Sequence, residues 1–494
     1  MSDPNNITQA GDYQLELAEI ISYRLHGGES KPYRMDIKNI IMSLELTEDI
    51  FNATMFGVIT VYDTQDVRTV LPITGLEKLN LKFSTPGVPG IRATEEEGFP
   101  FQIHRIDEVR VDENNPKGQL YTIHFCSMEA YSNSLNRVSK AFSDTLESNA
   151  YDLLRNINYL NSRKPFYFEP SKTNTKVVIP NLRPFQAIRQ MAKSTQSRWH
   201  NNAGYLFYET PKGFFLRSIE SMLAMGGAVA RPEKAHYKYQ VSNVRPQGPD
   251  VRPVRFDMRS VIKYDFSDPV NILNSLQNGA YASKLITHDA FYKKLVEYDY
   301  NYRKDFKNHY HTEHADGNRS EDKHTIPLAI WENTNKEFGD FSDSKVMVKS
   351  ETSKKHNEYD SPDPAANFNL QHNISQTMAM RNRNLNLLIP GNSTLEAGDI
   401  IRFDIPMMIP LGHDKKQEMN PYDSGRYLIT RIKHVIVPAS GRYEQVLNCY
   451  KDAVQTPYPK EYDTNITQVG NVNKLYDIYE QDNLILMENL QEDI

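Results

Sequence analysis

Between residues 14 and 128, apolar and polar positions alternate. Leu79, Leu81 and Phe83 are separated by Asn80 and Lys82, the period of two that turns one face of a strand to a core and the other to water. The runs FQIHRIDEVRV (101–111) and LYTIHFC (120–126) flank the polar DENNPKG (112–118), whose Pro and Gly predict a hairpin. Residues 35–46 and 55–62 predict two more strands around the polar connection 47–54. The expectation is an arm over residues 1–13 and an antiparallel β domain over 14–128.

The period then changes. Asp144 is a candidate cap with Glu147 three residues on, and Leu146, Ala150, Leu153, Leu154, Ile157 and Leu160 share one helical stripe. Pro184 stands where a first helical turn tolerates it, ahead of Phe185, Ile188, Met191 and Ala192. Residues 205–209 and 214–219 bracket Thr210-Pro-Lys-Gly213, a second hairpin. A small α+β domain is expected over 129–235. A further helix is expected at 270–278, capped by Asp268, with Pro269 at its first position and Gly279 past its end. Residues 301–375, with runs such as HYHTEHADGNRSEDKH, predict a polar, loop-rich insertion rather than a core. Residues 456–494 read as an acidic C-terminal arm that docks on a partner or a neighbouring copy.

One internal repeat fixes the architecture. FQIHRIDEVRV at 101–111 matches YLITRIKHVIV at 427–437 at Ile103/Ile429, Arg105/Arg431, Ile106/Ile432, Val109/Val435 and Val111/Val437. Downstream, Gly118 precedes Cys126 as Gly441 precedes Cys449; upstream, KLNLKF ending at Phe83 has a counterpart in GDIIRF ending at Phe403. Three matching blocks in one order predict two copies of one β domain, the second built from 236–300 and 376–455 around the insertion. The fold class expected is therefore α+β and β-rich: two related antiparallel domains with a small α+β domain between them.

Composition narrows the function. With 39% hydrophobic and 24% charged residues in 494, the chain can fold. No apolar run approaches the roughly 18 residues of a membrane span, and the polar N-terminus has no basic-then-apolar leader. Two cysteines exclude a disulfide scaffold or Cys-rich zinc module; the expectation is synthesis in a reducing cytosol. A net charge of −6 argues against a sequence-reading DNA binder.

Candidate chemistry is thin. His309, His311, Glu313 and His314, with His324 further on, have the residue types of a divalent metal site, but no His-Glu-x-x-His pattern and no apolar shell, so solvated loop histidines are expected and no metal is assigned. His288-Asp289 lacks a nucleophile nearby and is expected in a connection between strands. Cys126 and Cys449 are expected to be buried strand ends. The Glu95–Glu97 run sits in a Gly/Pro-rich loop. No P-loop, dinucleotide fingerprint or nucleophile elbow is present, so no catalytic residue and no cofactor is assigned.

The repeat, IPNLRPFQAIRQMA at 179–192, YLFYETPKGFFLRSIESM at 205–222, YASKLITHD at 281–289, TLEAGDIIRF at 394–403 and SGRYLITRIKHVI at 424–436 together resemble the central baseplate hub protein of contractile-tailed phages. The resemblance spans most of residues 14–455, and its motifs are structural. It implies two tube domains per chain in a homotrimeric, pseudo-sixfold ring that joins the hexameric tail tube to the trimeric central spike. Partners implied are the chain itself, the spike and the tube or tube-initiator proteins, with the tape-measure protein a further candidate. Specific nucleic-acid binding and membrane insertion are not expected, and the location implied is the virion's tail baseplate after synthesis in the host cytoplasm. Residues 103, 106, 429 and 432 would pack in matched positions of the ring's inner sheet. The alternative is a tail-associated cell-wall-degrading enzyme whose carboxylate pair is defined only in space.

Overall fold

The computed structural model describes residues 7–23, 32–239, 254–312 and 330–452, apart from 113–114, 116, 173, 176, 194, 201–202, 225–231, 268–270, 290–292, 307–308, 332–335, 351–363, 383, 407–418 and 421. Residues 1–6 and the acidic arm 456–494 lie outside them, as do Glu313, His314 and His324.

The alternating N-terminal segment forms β1 (Gln14–Ser22), β2 (Tyr33–Asp36), β3 (Ile41–Asp49), β4 (Phe56–Asp63), β5 (Lys78–Ser84), β6 (Ile91–Ala93), β7 (Phe101–Val111) and β8 (Gln119–Ser127), with a turn of helix, α1 (Val67–Val70), between β4 and β5. The hairpin β7–β8 spans the polar run its sequence predicted. Leu44, Leu46, Ile59, Leu79, Leu81, Phe83, Ile103, Tyr121, Ile123 and Phe125 fill one core. Complete burial of such side chains is worth about 1.5–3 kcal/mol each.

A small α+β unit follows: α2 (Met128–Leu135), β9 (Val138–Phe142), α3 (Leu146–Arg155), β10 (Phe166–Phe168), β11 (Val177–Leu182), α4 (Pro184–Ala192), β12 (Tyr205–Thr210), β13 (Gly213–Ser218) and α5 (Ile219–Leu223). Thr145, not Asp144, is the N-cap of α3; its hydroxyl accepts from the Ser148 N–H, while Asp144 accepts from the Thr145 N–H and the Ser148 hydroxyl. The helix stops before Ile157, which is exposed. Pro184 opens α4 as expected. Leu153, Leu154, Ile188, Met191, Phe207, Phe214 and Leu216 form this unit's own core.

The rest comprises β14 (Ala235–Lys238), α6 (Val254–Asp257), β15 (Lys263–Ser267), α7 (Ile272–Gln277), β16 (Ala282–Asp289), β17 (Lys294–Asn301), α8 (Tyr302–Phe306), β18 (Ile330–Trp331), β19 (Lys336–Glu337), β20 (Val346–Ser350), α9 (Pro364–Asn382), β21 (Asn384–Pro390), β22 (Ile400–Asp404), β23 (Gly425–Val437) and β24 (Arg442–Tyr450). Helix α7 is shorter than its sequence suggests and is capped by Asn271, whose side chain accepts from the Asn274 N–H; Gly279 follows in the left-handed region. Strand β16 pairs with β17 and β20 in a separate three-stranded sheet, outside the sheet of the second copy. His288 and Asp289 therefore end a strand instead of lying in a connection. Helix α9 is tied to this sheet by Gln371, which donates to the Ser283 and Tyr298 carbonyls. The described residues of the insertion thus include strands and the start of α9 despite their polarity.

The two β domains are duplicates. The order β3-β4-β8-β7 in the first is repeated as β15-β21-β24-β23 in the second, with β5 and β22 placed alike against the start of β7 and β23. Both hairpins carry a bulge at one position: the register slips between Ile103 and Arg105, and again between Ile429 and Arg431. Residues three apart in a regular strand face opposite ways; the bulge returns Ile106 and Ile432 to the side of Ile103 and Ile429. Ile103, Ile429 and Ile432 are buried, and Ile106 is half-buried against the first core.

The ladders also correct the sequence alignment. Ile103 pairs with Phe125 and Ile429 with Cys449, so Cys449 corresponds to Phe125 and not to Cys126, which is only half-buried. Leu79 pairs with Phe101 as Ile401 pairs with Tyr427, which sets Phe403 against Leu81 instead of Phe83. A second bulge at Glu108, present only in β7, moves Val109 and Val111 one step out of line with Val435 and Val437. One more difference separates the copies: β1 runs antiparallel to β5, whereas β14 runs parallel to β22.

Candidate assembly interface

Strand β23 is longer than its first neighbour, β22, which covers only Gly425–Leu428 of it. Beyond, Arg431 to Ile436 pair antiparallel with Asp49 to Leu44 of β3. The two domains are thereby fused into one sheet, ordered β15-β21-β24-β23-β3-β4-β8-β7-β5-β1-β2.

Side chains seal this seam on both faces. On the polar face Arg431 donates twice to Asp49 Oδ2, at 3.1 and 2.8 Å, and Lys433 Nζ lies 2.7 Å from Glu45. On the core side His434 and Glu48 are both buried, 2.9 Å apart. With Glu48 as acceptor, the network assigns the proton to His434 Nε2 and leaves Nδ1 to accept from the Tyr443 hydroxyl and Gln445. Ile436 and Tyr443, from the second copy, are embedded in the first copy's core, where Tyr443 meets the Phe83 ring edge to face at 5.9 Å. Burial pushes the Tyr443 hydroxyl well above its ordinary pKa, so it serves as a neutral donor.

Among the described residues the counterparts of the two seam strands, β7 and β15, are left open on the matching sides. Strand β7 is engaged by β5 only at Phe101 and Gln102; from Arg105 to Val111 its outer side pairs with no strand among the described residues. Strand β15, the counterpart of β3, likewise has no strand on its outer side among the described residues. Open strand edges offer a ready ladder to another chain. Val111 is 59% exposed, whereas Ile436, at the matching place in the seam, is 1% exposed. Ile262, just before β15, is also exposed.

Two buried polar clusters hold the small unit against this frame. Lys164 Nζ lies 2.8 Å from Glu129 and 2.5 Å from Glu209, while Ser162 and the Met55 N–H supply further donors. Burial opposes the Lys164 charge, but the two carboxylates outweigh it and hold the ammonium's pKa above the ordinary value. The second cluster contains the histidines expected in solvent. His309 and His311 are buried: His309 Nδ1 contacts Glu220 of α5, its Nε2 lies 2.6 Å from His372 Nε2 of α9, and His311 Nδ1 lies 2.8 Å from Asp452. Against the penalty of burial, His311 and Thr312 hold the Asp452 carboxyl below the usual range. Burial, then the adjoining His309, pushes the His372 imidazole well below its ordinary pKa. Among the described residues no group of three or more His, Cys, Asp or Glu side chains is arranged to hold a metal ion. No helix there is long and apolar enough to cross a membrane.

Glu45, Glu48 and Asp49 were not singled out by the sequence pattern, and neither were Glu220, His372 or Lys164. A signal for the first group existed: Leu44-Glu45-Leu46-Thr47 and Tyr264-Asp265-Phe266-Ser267 share one order of apolar, acidic, apolar and hydroxyl residues, and they occupy equivalent rungs.

No family model matches the chain, and no curated protein matches it. Among solved structures it is similar to a tail protein from Neisseria meningitidis MC58, at 8% identity and a TM-score of 0.48, over 89% of this chain and 97% of that one. It is also similar to the 43 kDa tail protein of prophage MuSo2 from Shewanella oneidensis, at 10% identity and 0.47, over 88% and 98%. A chain of the phage P2 baseplate in its activated conformation matches at 10% identity and 0.29, over 87% and 98%.

Proposed function

We propose that this chain is the structural hub of a contractile phage tail baseplate, a homotrimer whose pseudo-sixfold ring joins the hexameric tail tube to the trimeric central spike. The observation that carries the reading is the seam. Two duplicated domains meet edge to edge inside one chain, and among the described residues the equivalents of the two seam strands, β7 from Arg105 onwards and β15, have an outer side with no strand against it. A contact between unlike surfaces repeats head to tail and closes when the rotation allows; three chains with two domains each then give six near-equivalent units. The order of motifs along the sequence points to the same family.

On the polar face of this sheet Lys433 pairs with Glu45 and Arg105 with Asp107. A lumen lined by such a face lets a polyanion pass without the counterion release that makes a basic channel hold it. The role is mechanical and not enzymatic, and its site is the virion tail. The spike and the tube proteins are the partners.

Light scattering on a sizing column, followed by imaging of the peak, tests this. The expected result is the mass of three 57.0 kDa chains and a six-lobed ring with a central hole, formed by the chain alone or with its spike. A chain that remains single in the presence of spike, and digests cell wall, overturns the reading.

A further inference from the structure

We infer that β7 of one protomer pairs antiparallel with β15 of the next in the register of the internal seam, setting Arg110 opposite Asp265 and Val111 opposite Tyr264. This rests on the ring reading above and names the surface that closes it.

The register follows from the ladders. Gly57 pairs with Phe125 and Leu385 with Cys449, which are equivalent residues of the two hairpins. One step along, Glu45 pairs with Val58 and Asp265 with Asn386, so Asp265 is the counterpart of Glu45. On the other edge Val435 pairs with Glu444 and Arg110 with Leu120, again equivalent rungs once the bulge at Glu108 is allowed for. Within the chain, Val435 faces Glu45 and Ile436 faces Leu44. Between chains the same rungs hold Arg110 against Asp265 and Val111 against Tyr264.

The chemistry fits a second copy. Directly opposed unlike charges stabilise a strand pair and like charges oppose it. Arg110 and Asp265 are both exposed in the single chain, as is Val111, whose seam counterpart Ile436 is buried. The internal seam joins β23 to β3 and not to a second β23, so the counterpart of that contact joins β7 to β15 and not to a second β7. The occupant committed to is therefore β15 of another copy, head to tail.

Paired cysteines test the register in the full-length chain. Arg110→Cys with Asp265→Cys, mildly oxidised, is expected to give covalent three-chain species on a non-reducing gel; Arg110→Cys with Lys263→Cys, two residues out of register on the same face, is expected to give at least tenfold less. Each single substitution serves as the background. Arg110→Glu is expected to weaken assembly at least tenfold, and adding Asp265→Arg to restore it. Trimers by light scattering with cross-linking at Lys263 and not at Asp265 overturn the register and leave the ring standing. A chain that forms no trimer, alone or with spike, overturns both.

Discussion

Arg431 Nη2 lies 2.8 Å from Asp49 Oδ2, bridging the two copies of the duplicated domain within one chain. The partners are unequal: the Arg431 side chain is about half exposed, whereas Asp49 is buried and also accepts from the Phe51 N–H and the Asn52 side chain. An ion pair with a solvated partner is worth about 1 kcal/mol or less. Losing a buried acceptor strands several donors at about 1–3 kcal/mol. Asp49→Ala is therefore expected to cost about 2–3 kcal/mol in urea unfolding and Arg431→Ala under about 1. Equal costs would show that the pair, and not the turn that Asp49 organises, holds the seam.

The duplicated hairpins trade volume across one rung. In the first copy Gly57 lies opposite Phe125; in the second Leu385 lies opposite Cys449. A Cβ on Gly57 would fall 2.3 Å from the Phe125 ring and 2.5 Å from the Glu45 carbonyl oxygen, which is backbone and cannot swing away. Gly57→Ala is expected to destabilise by about 2–3 kcal/mol, as overpacking does. Adding Phe125→Leu should recover part of that but not all, because the contact with Glu45 remains. Thermal unfolding of the single and double variants measures this, and full recovery would contradict the backbone clash.

Lys164 lies between Glu129 and Glu209 and pairs with both, and all three are buried. Removing one partner of a buried ionic cluster costs about 3–5 kcal/mol, because the charges left behind are uncompensated. Lys164→Met is expected to lose that much at pH 7.5. Its pH dependence follows from the sign of the shifts. Burial already raises the Glu209 pKa, and removing the ammonium takes away the largest influence that opposes the rise. The folded form of the variant then binds a proton more readily than the unfolded chain, so its stability should climb as pH falls from 7.5 towards 5. Denaturant titrations at both pH values check this; a variant that weakens further in acid would refute it.

Much of the frame was legible in the sequence because alternation and turn residues act locally. The β7–β8 and β12–β13 hairpins, Pro184 at the start of α4 and the duplication all lie on that level. What stayed hidden depends on bulges and distant partners. Cys126 and Cys449 each stand eight residues past a glycine, yet Gly441 adopts φ +63° after a 3-10 turn and Gly118 does not adopt a positive φ, so equal spacing does not mean equal rungs. Arg105 and Arg431 are identical in the repeat, but Arg105 pairs with Asp107 on its own strand and Arg431 crosses the seam. The histidines at 309 and 311 read as solvated because their neighbours in sequence are polar. Their partners, Glu220, His372 and Asp452, lie far away along the chain, and no local pattern announces them.

The contact of His372 with His309 is expected to make the fold sensitive to acid. His372 is buried against His309, and its pKa lies well below the ordinary value of a histidine, so the folded chain keeps it neutral. The unfolded chain takes up that proton near pH 6.5. Stability from this group is thus fully present above the unfolded pKa and falls as pH drops below about 6.5, by up to ~1.4 kcal/mol per pH unit until the folded pKa is reached. His372→Gln retains an amide able to meet His309 but cannot titrate. The expected result is a smaller loss of stability between pH 7 and 5 than in the unaltered chain, read from urea midpoints at each pH. Parallel pH profiles for the two proteins would place the acid sensitivity in another group.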